Sequence, residues 1–344
     1  MSRIILWLHF LALSISVPSY SSETAPFGLG PWQEVVVSVS DLDRTSQFFK
    51  QIGAYVEHAR GDLTASEVDS WGLVEHASGR YVLLGPEGAE AGLIRLIDFD
   101  NAGEQKPMRP GARAWDTGCY FSIMVRVKGI ESIYDEAIRL GWWTETPIAP
   151  LQFGESDLRI VIFKGPDGLQ IQSYERLSPA LPEAVGPFDR MTRPFNVMQM
   201  VESQPEAYSF FTEVLDFATY YTGPPVTAPA PVISPIGIPW SLTTSAGYQA
   251  GIVYPVPGEY GRMEMIQVHG MEGQDYSDRC EAPNLGILAV RFMTEQVGDL
   301  ADQLQKNGVS AEVYPSVDLS DLGVARILQT KSPDGAIIQF IQPQ

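Results

Sequence analysis

Hydrophobic and polar positions follow two periods in turn along this chain. In Glu34-Val35-Val36-Val37-Ser38-Val39, Val35, Val37 and Val39 point one way while Glu34, Val36 and Ser38 point the other, the period of a strand. Ser40 or Asp41 can cap the helix that follows, whose residues Leu42, Thr45, Phe48, Phe49 and Ile52 recur at helical spacing before Gly53 stops it. Strand-like runs come next, near Tyr55 and over residues 81–84 and 92–97. The order is strand, helix, three strands.

That order recurs. After a Gly/Pro/Arg-rich connection (residues 106–118), residues 120–127 alternate, a helix over 130–140 ends at Gly141, and strands follow near 142–146 and 158–163. This second unit closes with Gly165-Pro166-Asp167-Gly168-Leu169-Gln170-Ile171-Gln172. A third unit begins at Phe195 and carries a helix with Phe210-Phe211, which matches Phe48-Phe49 at an offset of ~162 residues. The Pro-rich stretch 223–240 interrupts it, and it closes over residues 261–266. A fourth unit opens at Leu285, has a helix ending at Gly308, and closes with Ser332-Pro333-Asp334-Gly335-Ala336-Ile337-Ile338-Gln339. In each closing stretch proline sets φ at the first turn position and Asp-Gly supplies a positive-φ corner, so a tight turn feeds an alternating strand. The expectation is an α+β protein of four βαβββ modules paired into two domains with curved mixed sheets. The expected limits are 30–176 for modules 1 and 2, a Pro-containing linker over 177–192, and 193–344 for modules 3 and 4.

Composition adds limits. With 344 residues, 44% apolar and 19% charged, the chain is long enough for two ordinary cores. A net charge of −19 argues against nucleic acid and against an anionic membrane surface as partners. Arg3, an apolar run over residues 4–17, and Pro18-Ser19-Tyr20-Ser21-Ser22 read as a signal peptide ending near residue 22, implying a secreted or periplasmic protein with no membrane attachment after cleavage. In such a compartment Cys119 and Cys280 are able to pair, although spacing alone leaves paired and unpaired states open.

The units, the Asp-Leu helix start, the Phe-Phe helix and the closing Pro-Asp-Gly strand together resemble the vicinal oxygen chelate superfamily, which includes glyoxalase I, bleomycin-resistance proteins and extradiol dioxygenases. The resemblance spans residues 30–344. It implies modules paired edge to edge around a cavity that in family enzymes holds a divalent metal. The family's ligand positions lie on the first and last strand of each module. Carried over by motif, they fall on Glu34, Ser122, Asn196 and Ile287 on first strands and on Arg95, Gln172, Glu264 and Gln339 on last strands. Pairing in chain order gives one cavity with Glu34, Arg95, Ser122 and Gln172, and another with Asn196, Glu264, Ile287 and Gln339. Neither set contains histidine; His58, His76 and His269 fall at none of these positions. One carboxylate with amides, or a guanidinium that cannot lose its proton, is a poor donor set for catalytic zinc or iron, so no cofactor is assigned.

Three uses of the first cavity stay open: anion binding through Arg95 or Arg126, Glu34 as a general base, or a Glu34–Arg95 ion pair in place of a metal. Glu264, with Arg262 on the same strand face, poses the same choice in the second. The leading expectation is an exported, monomeric or homodimeric protein that binds a small organic molecule, with Arg95, Ser122, Arg126, Gln172, Asn196 and Gln339 as ligand-binding candidates. The alternative is a lyase, isomerase or dioxygenase, metal-assisted or using Glu34 or Glu264 as base.

Overall fold

The computed structural model describes residues 25–111 and 113–344; the expected signal peptide lies outside them. The first module comprises β1 (Glu34–Ser38), α1 (Leu42–Gln47), β2 (Val56–Asp62), α2 (Ala65–Asp69), β3 (Ser78–Gly85) and β4 (Leu93–Asp100). The second comprises β5 (Tyr120–Arg126), α3 (Ile130–Arg139), β6 (Trp143–Thr144), β7 (Ala149–Phe153), β8 (Ser156–Lys164) and β9 (Gln170–Ser178). The third has β10 (Asn196–Met200), α4 (Gln204–Ser209), β11 (Ala218–Thr222), β12 (Gly247–Tyr254) and β13 (Arg262–His269). The fourth has β14 (Gly286–Met293), α5 (Val297–Lys306), β15 (Ala311–Leu319), β16 (Gly323–Lys331) and β17 (Ile337–Pro343). Capping follows the sequence: the Asp41 carboxylate accepts from Arg44 N, and α1 runs on through a π-helical turn that buries Phe48, Phe49 and Ile52. None of the described helices is long and apolar enough to cross a membrane.

Modules do not pair in chain order. One sheet has eight strands in the order β15-β16-β17-β14-β1-β4-β3-β2, so modules 1 and 4 form it. The other runs β11-β12-β13-β10-β5-β9-β8-β6, with β7 beside β8, so modules 2 and 3 form it. The expected units 30–176 and 193–344 are therefore corrected: each contributes one module to each sheet. First strands meet antiparallel at the centre of both sheets, Glu34 opposite Arg291 and Asn196 opposite Met124. The physical reason is that any two first strands present similar edges, so the pairing depends on which crossovers the chain makes. Here the chain crosses after β4 and returns before β14.

The convex faces of both sheets and helices α1, α3, α4 and α5 share one core, from Val35, Ile94 and Phe340 on one side to Ile123, Phe163 and Met265 on the other. Two ties reinforce it. Cys119, just before β5, and Cys280, just before β14, form a buried disulfide that staples the two crossovers. The Pro-Asp-Gly turns clasp across: Asp167 accepts from the backbone and hydroxyl of Ser40 in module 1, and Asp334 accepts from Glu202 N in module 3. Gly335 serves twice there, with φ of +79° and a position where a Cβ would collide with Ser277 O.

Candidate functional site

In the eight-stranded sheet the concave floor is occupied by charge. Glu34 Oε1 accepts from Arg95 Nε and from Arg291 Nη1, both at 2.8 Å. Arg95 also reaches Asp321 at 2.6 Å, and Arg291 reaches Gln339 Oε1 at 2.8 Å and Glu67 at 3.3 Å. Gln339 passes its amide to Gln329, and Glu67 Oε2 accepts from Ser320. Arg95 and Arg291 are wholly buried, the first over the Tyr81 ring and the second over Trp71. Burial alone would push the Glu34 carboxyl up, but the two guanidiniums outweigh it and hold it below its ordinary value. Of the three uses left open by the sequence, the geometry has the ion pair, enlarged to two arginines and three carboxylates.

The nine-stranded sheet has a different floor. Glu264 Oε2 accepts from Asn196 Nδ2 at 2.7 Å, and no other hydrogen bond reaches this carboxylate from the described residues. Asn196 Oδ1 is buried without a partner. Gln172 donates to Ser122 Oγ at 2.6 Å and to Met198 Sδ, and accepts from the Tyr174 hydroxyl at 2.8 Å. Around these lie Met124, Met198, Ile266, Phe195, Tyr248 and Ile236, the last from the Pro-rich insertion. The insertion is tied down by pairing of Val226 with Tyr248. Burial pushes the Glu264 carboxyl up to about 7, only partly offset by Asn196 and the Arg262 charge. Burial and the Glu264 charge also raise the Tyr174 hydroxyl.

Several expected placements are corrected. Glu34 and Arg95 sit together, but Ser122, Arg126 and Gln172 belong to the other sheet, with Asn196 and Glu264. Gln339 joins Glu34 instead of Glu264. Arg126 lies at the strand end, held by Glu259 at 2.7 Å and stacked over Phe195, and burial lowers its pKa to about 10. Ile287 is not on a concave face at all. Val36 pairs with Ala289 and Val37 with Ile287, so Leu288 is the extra residue of a β-bulge that turns Ile287 into the shared core. Val36 pairs with Arg95 as Met198 does with Glu264 and Arg291 with Gln339; Ala289 is thus the module 4 counterpart of Glu34.

Sequence reasoning missed Arg291, Glu67 and Asp321 as site residues. Thr64-x-x-Glu67 is a capping-box spacing, and Thr64 Oγ1 does accept from Glu67 N, so a helix there was signalled; the second role of Glu67 was not. Of the tryptophans, Trp142 stacks on Phe48 in the core whereas Trp143 and Trp240 are exposed.

The resemblance implies a divalent metal, and neither floor fits one. A dication beside Glu34 would face two guanidiniums already bonded to that carboxylate. Around Glu264 there are one carboxylate, amides, hydroxyls and a thioether, not the imidazole- or carboxylate-rich set that holds a catalytic metal. Among the described residues no group of three or more His, Cys, Asp or Glu side chains is placed to share an ion.

No protein-family sequence model and no curated protein sequence matches the chain. Its fold does match solved structures. Glyoxalase I from Zea mays aligns with a TM-score of 0.59 at 12% identity over 91% of this chain and 92% of that one. A mutant form of that enzyme gives 0.58 at 13% over 91% and 94%. A dioxygenase candidate from Bacillus subtilis gives 0.53 at 10% over 93% and 86%. At these identities the likeness is one of fold, and it extends over the full set of four modules. The chain has the vicinal oxygen chelate fold, with its four βαβββ modules closed into two module pairs.

Proposed function

We propose that this is a small-molecule binding protein that works at the concave face of the nine-stranded sheet. The observation that carries the reading is Glu264: a buried carboxylate with one oxygen bonded only to Asn196, the other unbonded, set among tyrosine and phenylalanine rings. Pockets for organic ligands combine an apolar aromatic lining with a few convergent polar groups. On the opposite face the carboxylate is instead bonded by two guanidiniums of the protein itself. Methionines at the floor, Met124 and Met198, are side chains that reshape around a guest at low cost. The test is a thermal-shift screen of the mature chain against a broad metabolite panel, repeated with Glu264→Gln. Stabilisation lost in the variant is expected; a flat response across the panel would refute the reading.

A second reading keeps the site but makes Glu264 a general base, since a carboxyl with a pKa of about 7 matches proton abstraction near neutral pH. Turnover of any panel compound, abolished by Glu264→Gln, would select it. We also infer export, supported by the apolar N-terminal run and by the paired cysteines; a mature N-terminus mapped near residue 22 by mass spectrometry would test this. Both module pairs are completed within one chain, which supports a monomer.

A further inference from the structure

Resting on the reading that the nine-stranded face binds a small molecule, we propose that its ligand is an organic cation bearing N–H donors on a flat apolar body, such as an aryl amidine or aryl amine. The floor offers open acceptors. The Asn196 amide is oriented by its bond from Nδ2 to Glu264 Oε2, which leaves Oδ1 buried and unbonded, and Glu264 Oε1 has no hydrogen bond from the described residues. Two acceptors on adjacent strands ask for two donors on one ligand group.

Apart from Arg262 Nε, which is buried without a partner, and the Tyr248 hydroxyl, the donors nearby are committed. Gln172 Nε2 goes to Ser122 and Met198, and the Tyr174 hydroxyl goes to Gln172. Tyr248 has a free hydroxyl, which is able to accept as readily as donate. A buried carboxylate calls for a positive partner, and neither neighbouring guanidinium bonds to it. Arg126 is held by Glu259, and Arg262 donates to Gly258 O while lying 3.8 Å from the centre of the Tyr220 ring. An anion would meet Glu264 as a like charge. The rings of Tyr174 and Tyr248 suit a flat cation both as apolar surface and through their π faces, and Phe195, which carries Arg126 on one face, adds apolar surface.

The probes are benzamidine, benzamide and benzoate, titrated calorimetrically into the mature chain at pH 8. Benzamidine should bind about tenfold or more tighter than benzamide, with benzoate weakest. Glu264→Gln, which preserves an acceptor for Asn196, should remove that preference, while Glu264→Asp should weaken benzamidine yet keep its order over benzoate. Benzoate or benzamide binding as tightly as benzamidine, or benzamidine binding unchanged by Glu264→Gln, overturns the ligand class and leaves the binding-protein reading intact. Binding of none of the three probes, with a flat response to the wider panel, overturns both; binding only of panel compounds without N–H donors overturns the ligand class alone.

Discussion

The two concave faces hold acids at related strand positions and treat them in opposite ways. Glu34 receives hydrogen bonds from two buried guanidiniums, and its carboxyl is held below the ordinary range. Glu264 has a single amide, and burial carries it up to about 7. Both acids lie at buried strand positions, Glu34 with 1% and Glu264 with 9% of its surface exposed. What differs is the neighbours: Glu34 lies opposite Arg291 and is also bonded by Arg95, whereas Glu264 lies opposite Met198 and is bonded only by Asn196. A floor whose charges close on one another is a strut, and a floor left one charge short is a place for something else to bind.

The contrast can be broken experimentally. Cutting the tie that both faces share should cost most. Closing a loop with a sequence separation of 161 corresponds to about 5 kcal/mol of chain entropy, so Cys119→Ser with Cys280→Ser should lower the unfolding free energy by up to that amount. Because the convex faces share one core, unfolding in urea should remain a single transition by fluorescence and circular dichroism; two transitions would show the faces to be independent.

Glu34→Gln comes next. It leaves Arg95 and Arg291 buried without their common carboxylate, at an expected cost of about 3–5 kcal/mol in chemical denaturation. A cost below about 1 kcal/mol would mean that Asp321 and Glu67 suffice for both guanidiniums.

The third experiment tests the sign of the contrast. A folded-state pKa of about 7 against an ordinary 4.5 means the native state holds the Glu264 proton more tightly than the unfolded chain. Wild-type stability then falls by about 3 kcal/mol as pH rises between those values. Glu264→Gln should therefore be more stable than wild type at pH 8 by up to that amount and lose the advantage near pH 4.5. The contribution of Glu34 runs the other way: with its folded pKa depressed, it is present above the ordinary carboxylate range and lost as pH falls below it.

Tyr174→Phe is the smallest change. It removes the hydroxyl bond to Gln172 and should cost about 1 kcal/mol, measured by urea unfolding. A much larger loss would mean that the nine-stranded floor is also a closed network.

Much of the fold could be read from periodicity, because each module carries its own strand, cap and turn signals within about 60–80 residues, a span over which local pattern is informative. Glu34, Arg95, Gln172, Glu264, Asn196, Ser122 and Gln339, the positions to which the resemblance pointed, are all buried. Module pairing was not legible, since it is decided between residues such as Glu34 and Arg291 that lie 257 positions apart. Ile287 was misplaced because the extra residue at Leu288 shifts the alternation by one. Asp321 was invisible for another reason: it is a loop residue with nothing nearby to mark it.

The pairing of the first and last modules also sets a clock on synthesis. Modules 2 and 3 are contiguous, so their sheet can close soon after β13 has emerged. Strand β1 has to wait for β14, some 257 residues later, before Glu34 meets Arg291. At translation speeds of about 5–20 residues per second this is on the order of 10–50 s, during which an edge strand and an unmatched acid remain without their partners. The half of the molecule that ends up the more tightly locked is therefore the half that can be completed only when nearly the whole chain exists.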